Sequence, residues 1–358
     1  MNRMASSPTP VVEKLALFWH GVLASSAYDP LPRLMVRQIA TYRRLGTGDV
    51  HDLLQAMAVD PAMLVYLNGA TNIAASPNEN FGRELMELFT LGNGNFTEAD
   101  VIAMSRAWTG HNLNTTTEAY VFNAGKHDNG TKTLFGISKN WNGPDAITEI
   151  VRGSRQRVCA RYLAGRLWSF FAAPNPSSTL LDELTDAFIA ASMNVKAFLR
   201  VIFLHPEFRT TATRQALVRS PIEWQVAAMR SVGMTSESLN PQWWMEGLGQ
   251  VLYQPPNVSG WRQNGAWISS TAQWSKGSFA GYVRWRASDA GVLANTQTMT
   301  AANAVAAAFD RFGIDDPSPQ TRTALTAWAN REITANRRWV LPSGLIHLTL
   351  LTPDFQMA

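Results

Sequence analysis

Glu84 and Glu87, three residues apart in Asn80-Phe81-Gly82-Arg83-Glu84-Leu85-Met86-Glu87, are the pair in this chain best placed to do acid–base chemistry. Phe81, Leu85 and Leu88 recur at helical spacing as an apolar stripe, and Asn80, Glu84 and Glu87 repeat that spacing one residue earlier. The carboxylates therefore line the edge of a core-facing side. Such a pair can pass a proton between substrate and water, or hold one cation from a single helix. Imidazole and carboxylate recur together at His127-Asp128, and a further imidazole, His20, lies beside an apolar face in Phe18-Trp19-His20. Glu84, Glu87, His127 and Asp128 are the candidate catalytic groups. Glu84, Glu87 and His127, with His20 as a fourth, are the candidate ligands for a divalent metal ion such as Zn, Fe or Mn. Asn80, Arg83, Trp108, Lys132 and Trp261 are the candidate substrate contacts. The competing reading is structural, with Arg83, Arg106 and Lys132 neutralising the acids.

The 358 residues, 46% hydrophobic and 16% charged, describe a folded protein with room for a large core or two lobes. The net charge of +4 is scattered and accompanied by no nucleic-acid motif, so nucleic acid is not an expected partner. Cys159 is the only cysteine, which rules out an internal disulfide or a thiolate metal cluster, and its apolar neighbours make it a core residue. No apolar run approaches the ~20 residues that cross a bilayer. Residues 1–10 lack the pattern of an export signal. The 13 tryptophans, concentrated from residue 224 onward, suit helix packing or a binding surface.

Periodicity and capping signals predict helices over Val11–Ser26, Pro30–Leu45, Val50–Ala58 and Ala62–Leu67. The Glu84 helix is expected to open on a capping box of Ser76 and Glu79, with Pro77 at its first position and Gly92 as its stop. A second box, Thr97 with Asp100, opens a helix to Trp108. Residues 111–145 lose helical periodicity. Ala119–Asn123 and Thr131–Gly136 are expected to pair through Asn129-Gly130 as a hairpin lid. Helices return over 145–152, 156–171, 179–191, 195–205, 221–232, 300–312, 320–336 and 342–351. Between them, residues 253–267 form a Pro-, Gly- and Trp-rich loop that either plugs the core or walls a pocket. An apolar helix ending at Pro-acid-Phe occurs twice, at Phe198–Phe208 and Ile346–Phe355, as a helix-to-loop packing device. The expected fold is mainly α with a small β insertion around 111–142. It is a single unit, with a possible division into lobes at 11–213 and 214–358.

Five segments carry a resemblance: Phe18-Trp19-His20, the run Pro77–Gly92, Trp108-Thr109-Gly110, His127-Asp128-Asn129-Gly130-Thr131-Lys132, and Pro255-Pro256-Asn257-Val258-Ser259-Gly260-Trp261. In their order they resemble the bacterial family catalogued as domain of unknown function 1800, over nearly the whole chain. The resemblance implies a periplasmic or cell-envelope location and association with an exported protein of another uncharacterised family. It supplies no activity. Members commonly carry a second histidine soon after the first, where this chain has Gly21-Val22-Leu23, and an export signal with further residues before Phe-Trp-His. The chain is thus expected to be an N-terminally short member.

Two functions compete at this level. One is a metal- or acid–base-dependent enzyme of the envelope built on the Glu84/Glu87 helix and the His127-Asp128 turn. The other is a non-catalytic envelope protein that binds a partner protein or polymer through its Trp-rich loop and hairpin.

Overall fold

A computed structural model describes residues 1–27 and 32–358. It is mainly helical, with two small antiparallel hairpins as the only sheets among the described residues. The chain forms two compact units. One comprises Val11–Thr210 together with Tyr253–Trp261; the other comprises Met1–Pro10, Thr211–Leu252 and Arg262–Ala358.

The unit holding Val11–Thr210 is built from the helices read in the sequence. Pro10–Val22 buries Leu15, Phe18, Trp19 and Val22, and stops four residues before the expected Ser26. Pro32–Leu45 follows; the expected start at Pro30 and Leu31 lies outside the described residues. Asp60 caps Pro61–Tyr66 by accepting from the amides of Ala62 and Met63. Thr97 and Asp100 form the expected capping box ahead of Glu98–Ala107. Gln156–Phe171 buries Cys159, whose thiol is pushed up to about 12 by its apolar surroundings, in keeping with a core role.

The β insertion departs from expectation. Ala119–Phe122 pairs with His111–Asn114, and Lys132–Leu134 pairs with Ile137–Lys139, so there are two hairpins where one was expected. Local turns decide this. The Asn114 side chain accepts from the amides of Thr116 and Thr117, which bends the first ribbon. Phe135 and Gly136, both at positive φ, close the second as a two-residue turn. Asn129-Gly130 closes neither.

In the other unit, Trp224, Phe279, Leu345, Ile346 and Phe355 are fully buried in one cluster. Ser220 and Glu223 form a capping box for Pro221–Val232. Its longest helix, Ser270–Asp289, was not anticipated. Ala272, Phe279, Ala280, Val283 and Ala287 face inward, but Trp274 and Trp285 face solvent, and apolar residues on both sides erase the periodicity. The echoed Pro-acid-Phe segments are the same device in both units. His205 accepts from the amide of Glu207 and Thr352 from that of Phe355, each capping a single turn that follows a long helix.

Candidate functional site

The Glu84 segment begins later than expected. Ser76 bridges back to Ile73, and the Asn72 and Asn78 side chains accept from the amides of Asn78 and Asn80. Asparagines, not the Ser76–Glu79 box, thus satisfy the first amides, and the helix runs Asn80–Glu84. It then widens into a π turn over Leu85–Thr90. The Thr90 hydroxyl donates to the Leu85 carbonyl at 2.5 Å and the Leu91 amide to Met86 at 2.8 Å, both in i+5 register. Such turns sit disproportionately at functional sites. Gly82 lets this helix press on Glu98–Ala107: a Cβ there would lie 3.1 Å from Met104 and 3.2 Å from the Ser105 amide.

Glu84 and Glu87 are both half-buried on this segment. Among the described residues neither accepts a hydrogen bond or forms a salt bridge, while Arg83, the cation beside Glu84, is engaged elsewhere. Arg83 donates to Glu98 at 2.9 and 2.7 Å and lies 3.4 Å from Glu79. Arg106 holds Asp128 at 2.6 Å. Desolvation, and then the charge of Glu87, raise the pKa of Glu84; the Arg83 charge opposes them. Asn80 is exposed and donates to Asn68 at 2.8 Å.

The His127–Lys132 turn is a knot that satisfies itself. The Asp128 carboxylate accepts from Arg106 and from the Gly130 amide, which keeps its pKa below the ordinary carboxylate value. Its amide donates to the Thr109 hydroxyl. Lys132, 1% exposed, donates to the carbonyls of Asp128 and Gly130 and to the Asn140 side chain. These bonds give both side chains a turn-holding role and leave little of Lys132 for substrate. Asp100 ties the second hairpin to the same region: one oxygen caps its helix and the other accepts from the Phe135 amide at 2.7 Å.

His127 donates through Nδ1 to the Thr109 carbonyl at 2.8 Å, an orientation that leaves Nε2 as the basic nitrogen. Its ring meets His111 at 6.2 Å between centroids, and His111 meets Trp108, which meets Phe81. Sequence reasoning overlooked His111. Buried, with Nδ1 bonded to Tyr120 and Nε2 unpartnered, it has a pKa lowered to about 4, first by desolvation and then by His127. Trp108 is 3% exposed and packed on Gly143, where a Cβ would come within 2.4 Å of the indole, so no face is open to a substrate. No hydrogen bond or ion pair joins Glu84 or Glu87 to His127 among the described residues.

His20 is brought to a different place. It is 1% exposed, and the rings of Tyr42, Tyr253 and Trp261 surround it at 6.4, 6.1 and 5.1 Å. Gly260 allows this: at φ +77° it sits so close that a Cβ would lie 2.1 Å from the Gly21 carbonyl. Both ring nitrogens of His20 are unpartnered, and burial lowers its pKa to about 4. Nearby on the same helix as Tyr42, Gln38 donates to Ser25 and to Asp60, whose carboxyl is pushed up to about 6 by burial. Trp261 and Trp267 of the Trp-rich loop are both buried, at 7% and 5% exposure.

Among the described residues no three His, Cys, Asp or Glu side chains are grouped to hold a metal ion, so Glu84, Glu87, His127 and His20 do not assemble the expected ligand set. Two carboxylates alone leave a divalent ion short of protein donors. No described helix is long and apolar enough to cross a membrane.

A mainly helical protein with two β-hairpins and an acid-edged π turn is the class these features define. The chain belongs to the family described as protein of unknown function (DUF1800), whose model matches residues 1–357. No curated protein and no solved structure matches it.

Proposed function

We propose that Glu84 and Glu87 are the acid–base pair of an enzyme that moves a proton on its substrate, hydrolysis being the simplest such reaction. The observation that carries this reading is the uncompensated pair itself. Two half-buried carboxylates share one turn without a cation, although Arg83 adjoins Glu84 in sequence. Structural carboxylates are normally paired or hydrogen-bonded when desolvated. A pair that is not, with burial and the neighbouring Glu87 charge raising the pKa of Glu84, is suited to pass a proton between substrate and water. The proton on Glu84 would go to a leaving group, and Glu87 would take one from water. His127, with Nε2 free to accept, is a second base within the same unit.

Carboxyl titration by 13C NMR on the full chain tests the assignment without knowledge of the substrate. Glu84 should titrate above 4.5, its ordinary value, and move down in Glu87→Gln. A Glu84 that titrates at or below 4.5 overturns it. Against a panel of esters, amides, glycosides and phosphoesters, any activity found should fall roughly 10²–10⁴-fold in Glu84→Gln and Glu87→Gln. Activity untouched by both would equally end the proposal.

A second reading has one observation in its favour. The hairpins expose Val121, Phe122 and Ile137 at 40, 46 and 41%, which suits contact with a partner protein. Replacing all three by serine should then abolish partner capture and leave the Glu84 titration unchanged.

A further inference from the structure

On Ser270–Asp289 two tryptophans stand in solvent, Trp274 at 79% and Trp285 at 55% exposure. Eleven residues separate them, three helical turns, so both project from one face about 16 Å apart along the axis. Between them on that face lie Gly277, Ser278 and Gly281. Nothing in the fold requires those glycines. A Cβ on Gly277 would meet nothing within 4 Å, and one on Gly281 would meet only the far end of His347, at 3.9 Å. Neither has a positive φ. Glycine inside a helix is destabilising relative to alanine, so two unforced glycines between two exposed indoles point to close approach from outside.

The charge of the face selects the visitor. Arg284 is exposed beside Trp285, Arg286 stacks on the same indole at 5.5 Å, and the helix carries no carboxylate before Asp289. The complement is therefore anionic, flat-faced and rich in hydroxyls that can use a bare backbone floor and Ser278. We propose that this face binds an acidic polysaccharide strand, with sugar rings stacked on Trp274 and Trp285 and a uronate carboxylate on Arg284. Duplex DNA, with about one charge per 1.7 Å, would bring roughly nine charges over the same length, against two arginines. An apolar partner helix would seek anchors at i+3, i+4 and i+7, where this face offers glycine and serine. The site is independent of the Glu84 pair.

Tryptophan fluorescence of the full chain, titrated with oligogalacturonate, dextran and duplex DNA in parallel, is the test. Oligogalacturonate should quench or shift the emission, with salt weakening it. Trp274→Ala and Trp285→Ala should each weaken binding at least tenfold, and Arg284→Gln should reduce the salt dependence. Gly281→Gln should fill the floor and abolish binding while the melting temperature is held or raised, a combination that a misfolded variant cannot produce. The proposal is overturned by any of four results: dextran binding as tightly as oligogalacturonate, DNA binding more tightly, no response at millimolar sugar, or self-association that Trp285→Ala removes.

Discussion

The guanidinium of Arg83 donates to both carboxylate oxygens of Glu98, at 2.9 and 2.7 Å, and forms no salt bridge with Glu84, its neighbour in the chain. Glu98 opens the helix that follows the π turn, so the two helices are pinned by a bond that also draws the nearest cation away from the acid pair. Replacing both of Arg83's partners, in Glu79→Gln/Glu98→Gln, should release it toward Glu84. The expected outcome is a lower Glu84 titration point by 13C NMR, with thermal stability changed by less than about 1 kcal/mol because the broken pairs are exposed.

A raised pKa has a stability signature. The Glu84 pKa lies above its ordinary 4.5 in the folded protein, so the folded state holds that proton more tightly than the unfolded chain. Stability from this group is present below 4.5 and is lost as pH rises through the folded value. Glu84→Gln should therefore melt a few degrees higher than the parent at pH 7, with the gain vanishing below pH 4.5 in calorimetric scans.

Buried histidines act in the opposite sense. His20 and His111 are both lowered from 6.5 to about 4, so the unfolded chain takes protons first as pH falls. Their contribution is intact above 6.5 and is lost toward 4, on the order of 3 kcal/mol for each fully buried ring. Asp60, raised from 3.8 to about 6, offsets part of this across the same range. His20→Phe should flatten the fall in urea-unfolding free energy between pH 6.5 and 4; an unchanged profile would show that His20 is not buried neutral.

The Lys132 knot predicts a large structural effect. Lys132→Ala strips three oxygens of a buried donor, and Asp128→Ala frees Arg106 and the Gly130 amide. Each should cost about 2–4 kcal/mol in denaturant unfolding, and the Glu84 titration should persist in both.

Gly260→Ala is expected to be among the most damaging single changes in the loop. It combines a positive φ with a Cβ 2.1 Å from the Gly21 carbonyl, and should cost about 2–4 kcal/mol. Loosening Trp261 should let His20 exchange with solvent, visible as a rise in its NMR titration point toward 6.5.

Much of the helical frame was legible because capping residues and apolar spacing agree, as at Thr97 with Asp100 and at Ser220 with Glu223. Three features were not. The Asn72–Asn78–Asn80 relay displaced a capping box that matched the consensus equally well, since side-chain acceptors six residues away leave no periodic trace. The π turn depends on where Thr90 donates, a matter of hydrogen-bond register and not of composition. Ser270–Asp289 was hidden by its outward tryptophans. Of the candidate site, Glu84 and Glu87 were readable from spacing beside an apolar stripe. The enclosure of His20 by Tyr253 and Trp261 was not, because more than 230 residues separate it from that loop.

The return of Tyr253–Trp261 to the Val11–Thr210 unit means that the backbone changes unit at residues 10, 210, 252 and 261. No single proteolytic cut can therefore liberate either unit whole. A fragment ending at Thr210 would leave His20 without its Trp261 lid, and its behaviour in isolation would report on an uncapped core. Expressing the Val11–Thr210 unit separately would require circular permutation or a tethered peptide that restores the missing nine residues.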